Sequence, residues 1–116
     1  MVRAKVQKIL FDFASLIRTE EGLNKAERKL KNLEKEGIYV DEKGLVFALE
    51  TLNILKVAQI IVGAANLRKE SRGPHLYFRN FEDIEPLARD DEKWCKYIVI
   101  KQGKKSMEFE LRNPVR

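Results

Sequence analysis

Apolar residues recur at intervals of three and four through the first third of the chain. Val2, Val6, Ile9, Leu10, Phe13, Leu16 and Ile17 fall on one stripe of a helix, which Arg18 closes. Thr19 stands where an N-cap is needed, and Glu20 and Glu21 follow in a first turn whose dipole favours acids. A second helix runs to Glu36 and presents Leu23, Ala26, Leu30 and Leu33, with Gly37 as its stop. Gly22 weakens this helix slightly. Each of the two has one stripe to bury.

The third helix, over residues 43–69, is apolar on two faces. Leu45, Ala48, Leu49 and Leu52 mark one stripe; Phe47, Ile54, Ala58, Ile61, Val62 and Ala65 mark another. A helix apolar around much of its circumference needs cover on more than one side. The first two helices supply part of it, and any stripe they leave open is where a further domain would dock. Gly63-Ala64-Ala65 allows another backbone to come close. Beyond Pro74 the pattern becomes irregular and then alternates. Trp94, Lys96, Ile98 and Ile100 interleave with Cys95, Tyr97, Val99 and Lys101; Gln102-Gly103-Lys104-Lys105 reads as a turn; Met107, Phe109 and Leu111 alternate with Ser106, Glu108 and Glu110. This is a β-hairpin, which must lean on a neighbour because an isolated one is marginal in water. The expected fold is therefore mainly α: an antiparallel three-helix bundle (1–70), an irregular loop (71–93) and a C-terminal β-hairpin (94–112), in one domain spanning 1–116.

At 116 residues with 44% hydrophobic content the chain can bury a core without staples. Its one cysteine, Cys95, forms no internal disulfide, fits a reducing compartment and reads as a small core residue of the first hairpin strand. No opening segment has a signal-peptide layout, and the longest apolar run, Ile60 to Ala65, is far short of the roughly 20 residues that cross a bilayer. The expected protein is soluble, or membrane-attached only through others. A net charge of +5 raises nucleic acid as a partner. However, Lys25, Arg28, Lys29, Lys31 and Lys35 are interleaved with Glu21, Glu27, Glu34 and Glu36, which is a solvated helix face rather than a phosphate-tracking stripe.

No two of the six glycines form Gly-x-Gly, so the backbone has no strand-to-helix turn of the kind that cradles a pyrophosphate. One histidine and one cysteine cannot build a zinc or iron–sulfur site. The dense polar cluster is Glu70-Ser71-Arg72-Gly73-Pro74-His75. It reads as a helix stop in which Arg72 and His75 bond carboxylates such as Asp90 or Asp91; a dicarboxylate-binding Arg72–His75 pair is the sharper alternative. Tyr77, Phe78 and Phe81 around Arg79 favour packing at a bundle end over base stacking. The trio Asp90-Asp91-Glu92 favours a cap or an ion pair with Arg72 or Arg89 over a cation site.

Four segments together carry a family resemblance. Leu16-Ile17-Arg18-Thr19-Glu20-Glu21-Gly22-Leu23, Ala48-Leu49-Glu50-Thr51-Leu52-Asn53, Ser71-Arg72-Gly73-x-His75 and Arg89-Asp90-Asp91-Glu92-x-Trp94 resemble the C-terminal helical domain of succinate dehydrogenase and fumarate reductase flavoprotein subunits. L-aspartate oxidase and the adenylylsulfate reductase large subunit share that superfamily. Leu52 and Pro74 depart from the pattern, where Arg and Ala are common. The resemblance implies a structural domain of an FAD-dependent oxidoreductase, inert alone, behind flavin-binding and capping domains whose Arg and His residues clamp a dicarboxylate for hydride transfer. It implies FAD for the full-length parent and no cofactor here. It makes Glu70, Ser71, Arg72, Gly73, His75, Arg89, Asp90, Asp91 and Trp94 a structural and inter-domain motif with no catalytic, cofactor or metal role. The implied partners are the upstream domains and an iron–sulfur subunit, in the cytoplasm or at a membrane through other subunits, and the isolated piece can self-associate. A separately expressed C-terminal piece, with Met1 introduced as a start codon, is the expected origin, and a naturally short gene product is the alternative. The rival functions are a free-standing helical interaction module and a weak nucleic-acid binder using Lys104, Lys105, Arg112 and Arg116.

Overall fold

The computed structural model describes residues 2–83 and 85–115. About half of them lie in four helices, beside two two-stranded sheets. In chain order these are α1 (Val2–Phe13), β1 (Arg18–Thr19), α2 (Glu20–Glu36), α3 (Leu45–Leu67), β2 (Tyr77–Phe78), α4 (Asp91–Trp94), β3 (Tyr97–Gln102) and β4 (Met107–Arg112).

The first helix is shorter than its pattern predicts. It ends at Phe13, and Leu16 and Ile17 stay exposed. The reason is tertiary: the chain leaves the helix to pair Arg18 and Thr19 in parallel with Tyr77 and Phe78. Thr19 does cap α2, its hydroxyl accepting from the Gly22 N–H at 2.9 Å. Gly22 is a place of close approach as well as a weak helix former. A Cβ there would sit 2.8 Å from Phe81 Cζ and 3.3 Å from Phe13 Cδ1.

The core draws Val6 and Ile9 from α1, Leu23, Ala26, Leu30 and Leu33 from α2, and Leu55, Ala58, Val62 and Ala65 from α3, closed by Tyr77. Arg3 fastens α1 to α3 by donating to the Phe47 carbonyl and the Thr51 hydroxyl, with its guanidinium 3.8 Å above the Phe47 ring. Gln59 donates to Glu34 and Asn66 to Asn24 across α2 and α3.

The C-terminal hairpin is antiparallel, from Tyr97↔Arg112 to Gln102↔Met107, with a tight turn closed by Gly103 N–H to Ser106 O at 2.9 Å. Its first strand starts later than predicted. Asp90 caps α4 through the Lys93 N–H, so Trp94 is helical and Cys95, half-buried, ends that helix instead of lining a strand. The hairpin does lean on a neighbour: the Phe109 ring sits on Gly63 of α3, where a Cβ would lie 2.6 Å from Phe109 Cζ.

Candidate functional site

At Arg68 the backbone turns from helical to extended, with its N–H still bonded to Ala64 O. In an extended chain alternate residues share a side. Arg68, Glu70 and Arg72 therefore converge, while Ser71 faces the other way. Glu70 is fully buried and sits at the centre. Its Oε1 accepts from Arg68 Nη1 at 2.7 Å and Arg72 Nε at 2.6 Å; its Oε2 accepts from Arg72 Nη2 at 3.3 Å and from the Asp90 N–H. Burial by itself would push this carboxyl up. The hydrogen bonds from Arg72, Asp90 and Arg68 outweigh that and hold it below its ordinary value of 4.5.

The network extends in two directions. Arg68 also donates to Trp94 O at 2.9 Å and Lys96 O at 2.6 Å, and its guanidinium lies over the Trp94 ring, so the end of α3 grips the strand entry of the hairpin. Arg72 reaches Asp91 Oδ1 at 2.7 Å, and Arg89 holds the other oxygen at 3.1 Å. Both contacts keep Asp91 ionised well into acid, Arg72 most strongly, and the two acids raise Arg72 in turn. On the opposite side Ser71 accepts from Tyr77 N–H and donates to Tyr77 O. Arg72 and His75 close a turn through reciprocal backbone bonds of 2.9 and 3.0 Å.

His75 is buried, and its ring nitrogens bond Arg18 and the Arg68 carbonyl rather than the expected Asp90 or Asp91. Its Nδ1 lies 2.9 Å from Arg18 Nη1, and its Nε2 lies 3.1 Å from Arg68 O. A guanidinium only donates and a carbonyl only accepts, so Nδ1 is the acceptor and Nε2 carries the proton. Desolvation lowers the ring's proton affinity; the Arg68 carbonyl partly restores it, and the charge of Arg18 lowers it further.

This cluster satisfies itself. With Arg72 committed to two acids and His75 to Arg18 and a carbonyl, the pair presents no joint face to a dicarboxylate. Among the described residues no group of three or more His, Cys, Asp or Glu could hold a metal. The aromatics expected to plug one end divide: Tyr77 and Phe78 are buried, whereas Phe81 is half-exposed with its ring against Gly22. Of the suggested phosphate-binding cations, Arg112 donates to both oxygens of Glu110 and, with Lys101, lowers that acid to about 2, and Arg116 lies outside the described residues. Spacing alone had not singled out Arg18 or Arg68. Arg-x-Glu-x-Arg directly after a helix was the available signal for Arg68, whereas Arg18 comes from 57 residues away.

The other candidate is a surface. α3 buries Ala48, Thr51, Leu55, Ala58, Val62 and Ala65, at helical spacing and mostly small. Its larger Leu45, Val46, Leu49, Leu52, Val57 and Ile61 are 40–70% exposed. The two stripes read from sequence are thus regrouped: Ala48 goes inward, and Leu45, Leu49, Leu52 and Ile61 outward. The expectation that nothing here could cross a bilayer also needs correction. By length and composition α3 is long and apolar enough, and most of it is not buried within the chain. A core helix meets the same criterion, and one stripe of α3 is core.

Similarity to known proteins agrees with this architecture. Residues 3–115 match the family model described as fumarate reductase flavoprotein C-term. An uncharacterized FAD-dependent oxidoreductase of Methanocaldococcus jannaschii is 36% identical over 108 residues, 90% of this chain and 18% of that protein. The succinate dehydrogenase flavoprotein subunit of Rickettsia conorii is 32% identical over 106 residues, 84% of this chain and 17% of its own length. Among solved structures, a quinol fumarate reductase chain of E. coli superposes with a TM-score of 0.72 at 23% identity, covering 96% of this chain and 20% of that one. The chain spans about a fifth of the relatives it matches.

Proposed function

The chain belongs to the fumarate reductase flavoprotein C-terminal family, and from that premise we propose that it is the helical buttress of an FAD-dependent oxidoreductase of the succinate dehydrogenase and fumarate reductase type, without catalysis of its own. Its three longer helices serve as an antiparallel three-helix bundle, and one flank receives the flavin-binding and capping domains.

The outward face of α3 is the observation that carries this. A helix that spends its small residues on its own core and shows Leu45, Val46, Leu49, Leu52, Val57 and Ile61 to the outside is built to be covered twice. The Glu70 cluster gives the second face its rigidity. It ties the end of α3, the Arg89–Asp91 segment and the hairpin into one body, so that a domain resting on α3 meets a fixed support.

The residues present do not fit a flavin dinucleotide themselves. α2 begins with Glu20 and Glu21, which repel a pyrophosphate, and the arginines of the cluster are neutralised by Glu70 and Asp91. FAD, the dicarboxylate clamp and the proton donor belong to the upstream domains, which also connect to an iron–sulfur subunit in the cytoplasm or at a membrane.

The test joins this chain to the flavin-binding and capping domains of its own parent. Leu49→Glu with Val57→Glu should lower flavin retention and domain association while the helical content of the isolated chain is unchanged. Arg72→Ala in the same polypeptide should reduce stability or flavin retention more than it changes the Michaelis constant. The isolated chain, incubated with FAD and then separated from unbound flavin, should carry no colour. A bound yellow species, or turnover of succinate or fumarate by the chain alone, overturns the proposal.

A further inference from the structure

His75 is the chain's one histidine, and it joins two parts of the molecule that are far apart in sequence. On one side is Arg18, in β1, the link between α1 and α2. On the other is the carbonyl of Arg68, where α3 ends. The backbone around it is the smaller of the two sheets among the described residues: β1 pairs with β2 by only two residues, and the Arg18 N–H donates to Leu76 O at 3.2 Å. So short a ladder has little stability of its own, and the side-chain chain Arg18–His75–Arg68 O spans it.

We propose that this chain of contacts is an acid-sensitive latch, in which protonation of His75 releases the α1–α2 connection from the segment that follows α3. The chemistry is determined by the partners. Nδ1 accepts from a guanidinium that has no lone pair to offer in return. A proton placed on Nδ1 leaves that nitrogen with no acceptor and sets an imidazolium 2.9 Å from a permanent cation. The neighbouring charges do not rescue it. Arg18 on β1 and Arg68 after α3 both oppose the charged ring, and Glu70, which favours it, is already engaged by Arg68, Arg72 and Asp90. Tyr77 lies beside it as a neutral ring, tilted by 46° with the centroids 5.8 Å apart, and Glu20 at the start of α2 pairs with Lys69.

The sign follows from linkage. The closed form binds the proton less readily than a free histidine does, with its ordinary value of 6.5, so the open form carries more protons in acid. The latch is therefore at full strength above 6.5. Its closed-to-open ratio falls by up to about tenfold per pH unit as the pH drops from there to the closed-state value, and is flat below that.

Nitrogen-edited NMR of the full chain resolves the one ring without ambiguity. The expected result is an Nε2–H tautomer near neutral pH and a ring titration below 6.5, accompanied by loss of amide protection at Arg18 while Leu30 in the core stays protected. His75→Gln should keep Arg18 protected throughout, because its amide oxygen accepts from Arg18 and its amide nitrogen donates to Arg68 O. An Nδ1–H tautomer, a titration at or above 6.5, or equal loss of protection in the glutamine variant overturns the latch. Should the variant not fold, the tautomer and the coupling between ring titration and Arg18 exchange in the unsubstituted chain still decide.

Discussion

Glu70 and Arg72 grip each other through two parallel hydrogen bonds, Nε to Oε1 at 2.6 Å and Nη2 to Oε2 at 3.3 Å. Because Arg68 and the Asp90 amide occupy the remaining positions on the carboxylate, each contact depends on the same negative charge. Glu70→Gln keeps the shape but supplies one acceptor where two are used, and turns an amide donor toward other donors. Removing one partner from a buried charge network costs about 2–4 kcal/mol. Chemical denaturation should show that loss with an unchanged m-value; an unaltered midpoint would mean that the arginines do not depend on Glu70.

The same carboxyl sets an acid limit. Its folded value is held below 4.5, so the unfolded chain takes up this proton first as the pH falls. The stabilisation is complete above 4.5 and disappears as the pH drops through the folded value. Denaturation midpoints measured from about pH 5 to about pH 2 should fall steeply for the natural chain and less steeply for Glu70→Gln.

Arg68→Lys tests geometry at constant charge. One guanidinium now serves Glu70, Trp94 O and Lys96 O from two nitrogens. An ammonium offers its donors from a single point and cannot span two carbonyls two residues apart. The expected cost is about 1–3 kcal/mol from the stranded carbonyls, with exchange protection falling in Tyr97–Gln102 before it falls in α2. Equal protection in the variant would separate the hairpin from this anchor.

What the sequence discloses is whatever depends on neighbours along the chain. Thr19 as a cap, the α2 stripe and the alternation of Met107, Phe109 and Leu111 are local signals, and each has its structural counterpart. The end of α1 is not local. Leu16 and Ile17 continue the helical spacing, yet the helix stops at Phe13 because Arg18 pairs with Tyr77, 59 positions away. The same holds in α3, where periodicity recognised an apolar helix but could not tell which apolar face meets α1 and α2. Ala48, Ala58 and Ala65 let the helices approach on the buried face, where Leu55 and Val62 fill the space between them, whereas the apolar residues exposed on the opposite face are larger and stay outside. In the polar cluster, Asp90 as a cap and Arg72 against Asp91 were legible from short-range chemistry. The partner of His75 was not, since nothing near it in sequence marks Arg18.

Tyr77 offers a prediction in the opposite direction. Its side chain is buried, and its hydroxyl has no hydrogen-bond partner among the described residues. Burial raises its proton affinity, with Glu20 adding to the effect, so the group stays neutral. Tyr77→Phe removes an unsatisfied polar atom and leaves the ring in place. Stability should hold or rise by up to about 1 kcal/mol, whereas a loss above that would point to an acceptor supplied by bound water.

The two sides of α3 make opposite predictions for substitutions of similar size. Ala58 is 1% exposed between the other helices, and Ala58→Leu adds three carbons to a filled space. Overpacking of that kind costs about 1–3 kcal/mol. Leu49 and Val57 are each about half-exposed, so Leu49→Gln with Val57→Gln removes little core and should shift stability by less than about 1 kcal/mol. The second pair should act on association instead. An isolated chain with an open apolar face seeks cover, and sedimentation should show concentration-dependent self-association that the double variant abolishes and Ala58→Leu does not. If the double variant unfolds the chain as severely as Ala58→Leu, the outward face belongs to the chain's own core and no domain needs to rest on it.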